Sequence, residues 1–471
     1  MPPPLASALT LAFIAVMLWR DDGKRAGVSG ALWLPVTWIF FVGGKFASQW
    51  LTLLGGSVQA ASQEEGSPVD SAVFLALIVI GAVVLARRRV SPLKFFRENV
   101  WLSVFFIYCF VSIVWSDFPF VALKRWIKIL GHPIMALIIL TDPVPREAIR
   151  SVLKRSAYLL IPPSILFIKY YPKYGRSFDL WTGSATNVGM MNTKNDLGYV
   201  CMVFGLFFFW NMLSSGGFEA KAQRREEAAV SIGFLWMAWW LLSMANSATS
   251  LACILIGAAT MVAVSTRLVS KRFIGTQIVT VIVLLVCAEL LFGFYGSAVG
   301  LLGRDASLTD RTAVWQDVLA LVDNPLLGSG FESFWLGSRL DKMWAKWWWH
   351  PIQAHNGYIE TYLNLGWIGL LILIGMLFAT FRKSRRELLQ NLEFGRFRLG
   401  VLFAIIVYNY TEAAFKNIHL VWTLFHLIAI DYVVETAAAS ESHTVPARAS
   451  SAERTLPAGV AARWRTRHHT A

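Results

Sequence analysis

The sequence predicts an all-α, polytopic membrane bundle, and three observations carry that expectation. Of its 471 residues 56% are hydrophobic, with a mean hydropathy of +0.53. Apolar runs near the length that crosses a bilayer recur along most of the chain, and Lys and Arg gather in alternate connections. About twelve to thirteen transmembrane helices are expected, with one long outward loop.

In chain order the runs lie at about 5–19, 29–44, 70–86, 99–115, 125–141, 153–169, 196–213, 229–245, 248–266, 274–296, 357–380, 398–414 and 418–435. The first lacks a basic leader and continues into further runs, so it is read as a retained helix. Basic clusters at Lys24-Arg25, Arg87-Arg88-Arg89, 146–155, Arg224-Arg225, 267–272 and 382–398 fall on one side if the runs alternate. That side is expected to be cytoplasmic. Lys124 and Arg125 break the pattern; either they bind something or that helix pair is misassigned.

The net charge of +14 is explained by those loops and an arginine-bearing tail, which removes the reason to invoke nucleic acid. Cys109, Cys201, Cys253 and Cys287 all fall in apolar runs and show neither metal-ligand nor disulfide spacing. No Walker motif, dinucleotide-binding glycine pattern or internal repeat is present. The expected domains are a membrane domain over 1–436, holding an outward catalytic loop at 297–354, and a disordered cytoplasmic tail over 437–471.

The outward loop carries the information about chemistry. Thr309 or Asp310 can cap a short helix whose apolar positions Val314, Trp315, Val318, Leu319 and Val322 have helical spacing, with Pro325 and Gly328 ending it. Arg311 then sits in the first turn, where guanidinium, free amides and helix dipole together suit a phosphate. The alternative is that Arg311 braces the loop or pairs with Asp310 or Asp305. His355 lies at the entrance of the next helix and is either a general base toward a sugar hydroxyl or an interfacial histidine bonded to backbone. Asp196, Glu289, Glu360 and Glu412 fall near the outer ends of their helices, as functional groups or as residues that simply reach the interface. Trp344 and Trp347 to Trp349 are sugar-stacking rings or interfacial anchors.

The order Thr309-Asp310-Arg311-Thr312-Ala313-Val314-Trp315, then Asn324-Pro325-Leu326-Leu327-Gly328-Ser329-Gly330, then His355-Asn356-Gly357-Tyr358 and Leu365-Gly366-Trp367-Ile368-Gly369 resembles the O-antigen ligase and polymerase superfamily. Trp115-Ser116-Asp117 and Lys194-Asn195-Asp196-Leu197-Gly198 resemble its ExoQ-like exopolysaccharide branch among the Wzy-type polymerases. The likeness runs from about Leu32 to His426 and is strongest from Arg311 onward.

The resemblance implies a multi-pass enzyme of the bacterial inner membrane. Such an enzyme transfers a glycan from an undecaprenyl-diphosphate-linked oligosaccharide at the periplasmic face, with no metal ion or other cofactor. Its partners would be that lipid-linked substrate, membrane lipid, a chain-length regulator and a flippase, and no nucleic acid. By the same resemblance His355 and Arg311 are the catalytic pair, base and diphosphate clamp. Where the family often carries a Ser-Arg or Ser-Lys pair, this chain has Asn246-Ser247-Ala248-Thr249-Ser250 and no cation. Either Arg304, Lys194, Arg125 or Arg176 then takes the second phosphate contact, with Arg304 favoured because it shares the loop, or the protein holds the carrier less tightly. Asn356, Glu360 and Glu412 complete the expected substrate site. The leading expectation is a polymerase joining repeat units; the alternatives are a ligase using another acceptor, or a lipid-linked oligosaccharide transporter, whose polar groups would sit at the bilayer midplane.

Overall fold

The computed structural model describes the chain except residues 25–26, 57–65, 180–182, 215–220, 268, 278, 281–282, 284–310, 417 and 433–471. Most of the expected run at 274–296, with Glu289, therefore lies outside the described residues, as do Arg304, Asp305, Asp310, Cys287 and the tail from 437. Every other expected run overlaps helix, the last of them, 418–435, only over Leu420–Ala429.

The helices are α1 (Pro3–Lys24), α2 (Trp33–Gly43), α3 (Ala47–Leu53), α4 (Pro68–Arg87), α5 (Pro92–Glu98), α6 (Val100–Val111), α7 (Pro119–Ile129), α8 (Gly131–Leu140) and α9 (Pro145–Tyr170). A short α10 (Pro172–Gly175) leads into the hairpin β1 (Arg176–Phe178) and β2 (Ala185–Asn187), paired antiparallel with Arg176 opposite Asn187. Then follow α11 (Lys194–Ser214), α12 (Lys221–Ala245), α13 (Ala248–Ala263), α14 (Arg311–Ala320), α15 (Gly337–Lys346), α16 (Gly357–Gln390), α17 (Leu392–Thr411) and α18 (Leu420–Ala429). Side-chain caps set several starts: Ser67 for α4, Ser247 for α13, Asn356 for α16 and Asn391 for α17.

Among the described residues six helices are long and apolar enough to cross a membrane, or up to eight if each of two bent pairs is one span. The bent pairs are 30–43 with α3, at 69°, and α5 with 100–115, at 109°. The remaining runs are shorter or interrupted. The run at 125–141 is divided between α7 and α8 at Leu130, α13 and α18 are short, and α17 carries the buried Arg396 and Arg398. The chain is a multi-pass helical membrane protein.

Residues 1–432 form one compact unit. Its centre is α11, buried along most of its length, where Phe208 stacks on Phe234 at 4.8 Å and Trp210 meets Phe397 at 4.6 Å. Helices at the periphery present Leu11, Trp19, Trp236, Leu371 and Phe378 outward, as expected of surfaces that face lipid tails. Ion pairs bind the helix ends where the basic clusters lie. Arg155 pairs with Asp21 (3.0 Å) and Asp22, Lys154 with Glu227, and Arg398 and Arg386 share Asp431 at 2.8 and 2.7 Å.

Candidate active site

The stretch from α14 to the start of α16 has a small core of its own. Val314 and Val318 of α14 are buried against Phe334, Met343, Ala354 and Leu363, with Trp315, Trp335, Trp347 and Trp349 packed around them. Trp347 donates to Asp317 (2.9 Å), and Trp344 donates to the Pro351 carbonyl (3.0 Å) while stacking on His350. These rings are therefore structural parts of the loop, and of the three successive tryptophans Trp348 is the one largely exposed.

The glycine-rich motif fastens this loop to α16. That helix breaks at Gly366, whose φ of 63° and ψ of −166° are open to glycine and strained for other residues. The break frees amides, and Trp367 donates to the Pro325 carbonyl (2.9 Å) and Ile368 to that of Leu326 (3.3 Å). A Cβ on Gly366 would lie 2.1 Å from the Leu326 oxygen. Asn364 completes the junction by accepting from the amides of Ser333 and Phe334.

Five elements then meet at Glu412, just past the end of α17. Arg311, the first residue of α14, donates one guanidinium nitrogen to the Thr411 carbonyl and the other to Glu412 Oε1, at 3.0 Å. Asn195, from the first turn of α11, donates to the same oxygen at 3.0 Å. His355 Nδ1 lies 3.1 Å from Glu412 Oε2, and the amide of Gly357, opening α16, donates to the Glu412 carbonyl (3.1 Å). Thr249 at the start of α13 is 3.0 Å from the Thr411 hydroxyl, so the helix start that lacks the family's cation also abuts this point.

Burial works to raise the Glu412 carboxyl, but the hydrogen bond and charge of His355 and the charge and hydrogen bond of Arg311 outweigh it and hold it at about 2. A carboxylate against Nδ1 favours the tautomer with its proton there, which leaves Nε2 as the basic nitrogen. His355 has a φ of 50°, costly for a residue with a Cβ. Its neighbours enforce that shape: Trp315 donates to the Ala354 carbonyl (2.7 Å), Asn356 donates to the Tyr410 carbonyl (2.9 Å), and the Ala354 amide donates to Glu360.

Of the residues expected from sequence, the structure thus brings together Arg311, His355, Asn356 and Glu412. Glu360 accepts Trp335 Nε1 and the Ala354 amide, holding the histidine turn from below. Lys194 turns to Asp179 (2.6 Å), and Arg176 donates to the Ile168 carbonyl (3.3 Å), so both have partners around the β hairpin. Arg125 donates to the Glu332 carbonyl and lines a cavity of about 420 Å³ together with Lys128, Gln353, Glu360 and Lys416. That cavity touches the histidine through Gln353, whose amide nitrogen is 3.3 Å from His355 Nδ1 and whose oxygen accepts from Lys416. Sequence reasoning named Asn195 only within the motif from Lys194 to Gly198, and it passed over Gln353, Lys128 and Lys416. The signal for Lys416 is a cation in the short connection between two apolar runs, four residues after Glu412.

The O-antigen ligase family model matches residues 232–374, which hold Arg311 and His355 but neither Glu412 nor Asn195. The chain is also 27% identical over 320 residues to the exopolysaccharide production protein ExoQ of Rhizobium meliloti (strain 1021), covering 63% of this chain and 67% of that protein. Arg311, His355 and the helix break at Gly366 all lie within the stretch that is similar to the O-antigen ligase family, and both comparisons place the chain's likeness among O-antigen ligase and exopolysaccharide production proteins of the membrane.

Proposed function

We propose that this protein is a polysaccharide polymerase of exopolysaccharide production, joining undecaprenyl-diphosphate-linked oligosaccharide repeat units at the periplasmic face of the bacterial inner membrane. The observation that carries this reading is the imidazole of His355 held through Nδ1 by the Glu412 carboxylate, with Arg311 on the carboxylate's other oxygen. In the reaction Nε2 takes the proton of an acceptor sugar hydroxyl while that oxygen bonds to the anomeric carbon of the donor glycan. The bond from that carbon to the diphosphate oxygen breaks, and the diphosphate leaves with the electron pair toward the guanidinium of Arg311. The cavity beside Gln353 and Lys416 offers room for sugar next to the base.

The name of the matching family favours one second reading, a ligase that passes a finished glycan to another acceptor. A transporter is disfavoured because the cluster forms at helix ends and in a loop, whereas carriers gather polar groups at the midplane.

The test is purified protein with a lipid-linked repeat unit and no nucleotide sugar. A polymerase lengthens the lipid-linked glycan, and His355→Ala lowers that rate about 10²- to 10⁴-fold while the substrate still binds. In cells the variant leaves single repeat units exposed at the periplasmic face. Long polymer made by the variant would remove His355 from the mechanism, and units retained inside would favour transport.

A further inference from the structure

At the basic end of the bundle a second cavity, of about 480 Å³, opens between α6 and the last turns of α16. Arg382, Lys383, Arg385 and Arg386 line it beside Trp101 and Phe378, and no carboxylate does so among the described residues. The partners of these cations leave most of their charge uncancelled. Lys383 donates to the Asn99 side chain (2.6 Å) and the Ala429 carbonyl (3.0 Å), and Arg385 donates to the Arg272 carbonyl. Arg386 pairs with Asp431, which Arg398 also uses. Arg382 has no hydrogen bond or ion pair among the described residues. Glu98 borders the small adjoining cavity that also reaches Lys383, and Glu387 lies on the same turns of α16 without lining the larger cavity.

The walls are apolar and lead toward the middle of the bundle. Trp101 is seated on the backbone of α16 so closely that a Cβ on Gly375 would stand 2.4 Å from its ring. From there Phe378, Ile374 and Leu371 on α16, and Val104 and Ile107 on α6, are all exposed. The level of the cavity is set independently by α5. That short helix turns 109° away from α6 and exposes Leu93 and Phe96 beside Lys94 and Arg97, the character of a segment lying in the headgroup layer.

We propose that this cavity binds an anionic phospholipid of the leaflet on the basic side, its phosphate among Arg382, Arg385 and Arg386 and its chains along the exposed face of α6 and α16. The planar guanidinium suits a phosphate oxygen pair, and an indole at this depth suits the glycerol region. A free phosphate would satisfy the cations but leave the apolar track bare, so the two sources are separable.

The experiment is thermal unfolding of the full-length, delipidated protein in neutral detergent, titrated with phosphatidylglycerol, phosphatidylcholine or inorganic phosphate. The expected result is a saturable upward shift with phosphatidylglycerol alone. Arg382→Gln with Arg386→Gln is expected to weaken that saturation about tenfold or more. Arg382→Gln alone, which removes no internal bond, weakens it in the same direction and guards against a folding defect of the pair. Arg87→Gln, an exposed cation at the same end but outside the cavity, leaves it unchanged. An equal shift with phosphatidylcholine, a full shift with inorganic phosphate, an unaltered titration in the Arg382 variants, or the same loss in Arg87→Gln would each overturn the proposal.

Discussion

Glu412 gathers Arg311, Asn195 and His355 onto two carboxylate oxygens, so its replacement tests the cluster as a unit. Glu412→Gln keeps the volume but removes the charge that fixes the imidazole tautomer, and transfer is expected to fall about 10²- to 10⁴-fold, read as polymer formed per lipid-linked donor. Its pH dependence has a definite sign. A carboxyl held at about 2, against its ordinary 4.5, stabilises the fold fully above 4.5 and loses that contribution as pH falls through 2. The melting temperature of the wild type should therefore drop more steeply than that of Glu412→Gln between those two values. Parallel curves would show that the carboxylate is not selectively stabilised. Arg311→Lys tests the fork: one ammonium cannot serve the Thr411 carbonyl, the carboxylate and a leaving diphosphate together, and a loss of about 10²- to 10³-fold is expected in the same assay with normal protein accumulation. The sequence made Arg311 and His355 legible because both stand in polar surroundings inside recognisable motifs. It left the role of Glu412 hidden, since that residue lies 57 positions from His355 and only tertiary contact joins them.

At the scale of elements, the apolar runs marked where helices form but not where they bend. The break in α16 frees the Trp367 and Ile368 amides for the carbonyls of Pro325 and Leu326, amides that a continuous helix would consume, and hydropathy carries no trace of such an exchange. Likewise the run at 125–141 reads as continuous, while the chain turns between α7 and α8 at Leu130. Gly366→Ala tests the junction. With a Cβ 2.1 Å from the Leu326 oxygen and an unfavourable φ, it is expected to destabilise the loop's seating by about 1–3 kcal/mol. Protease cleavage within 321–354 should then appear at lower enzyme concentration than in the wild type. Unchanged resistance would mean that the loop is held by its tryptophan core alone.

Across the whole molecule, the alternation of basic clusters predicts that the connections at 87–98, 214–228 and 382–397 face the cytoplasm and 297–354 the periplasm. Leu340 is buried in the loop, so the position suited to labelling is the exposed Ala345. Ala345→Cys is expected to react with an impermeant thiol reagent added outside the inner membrane, and Arg382→Cys only after that membrane is opened. The reverse pattern would invert the sidedness and the proposed location of the reaction with it.

The cluster at Glu412 also has a history within each molecule's synthesis. Arg311 and His355 leave the ribosome before α16, and the carboxylate that orients them arrives only with the end of α17, followed by Lys416 ahead of α18. Until then the nascent chain holds His355 and Arg311 without the Glu412 carboxylate that joins them. On the proposed function, competence for transfer is thus tied to insertion of the last helices, and a chain interrupted before them reaches the membrane with its most recognisable motifs present and the Glu412 cluster unassembled.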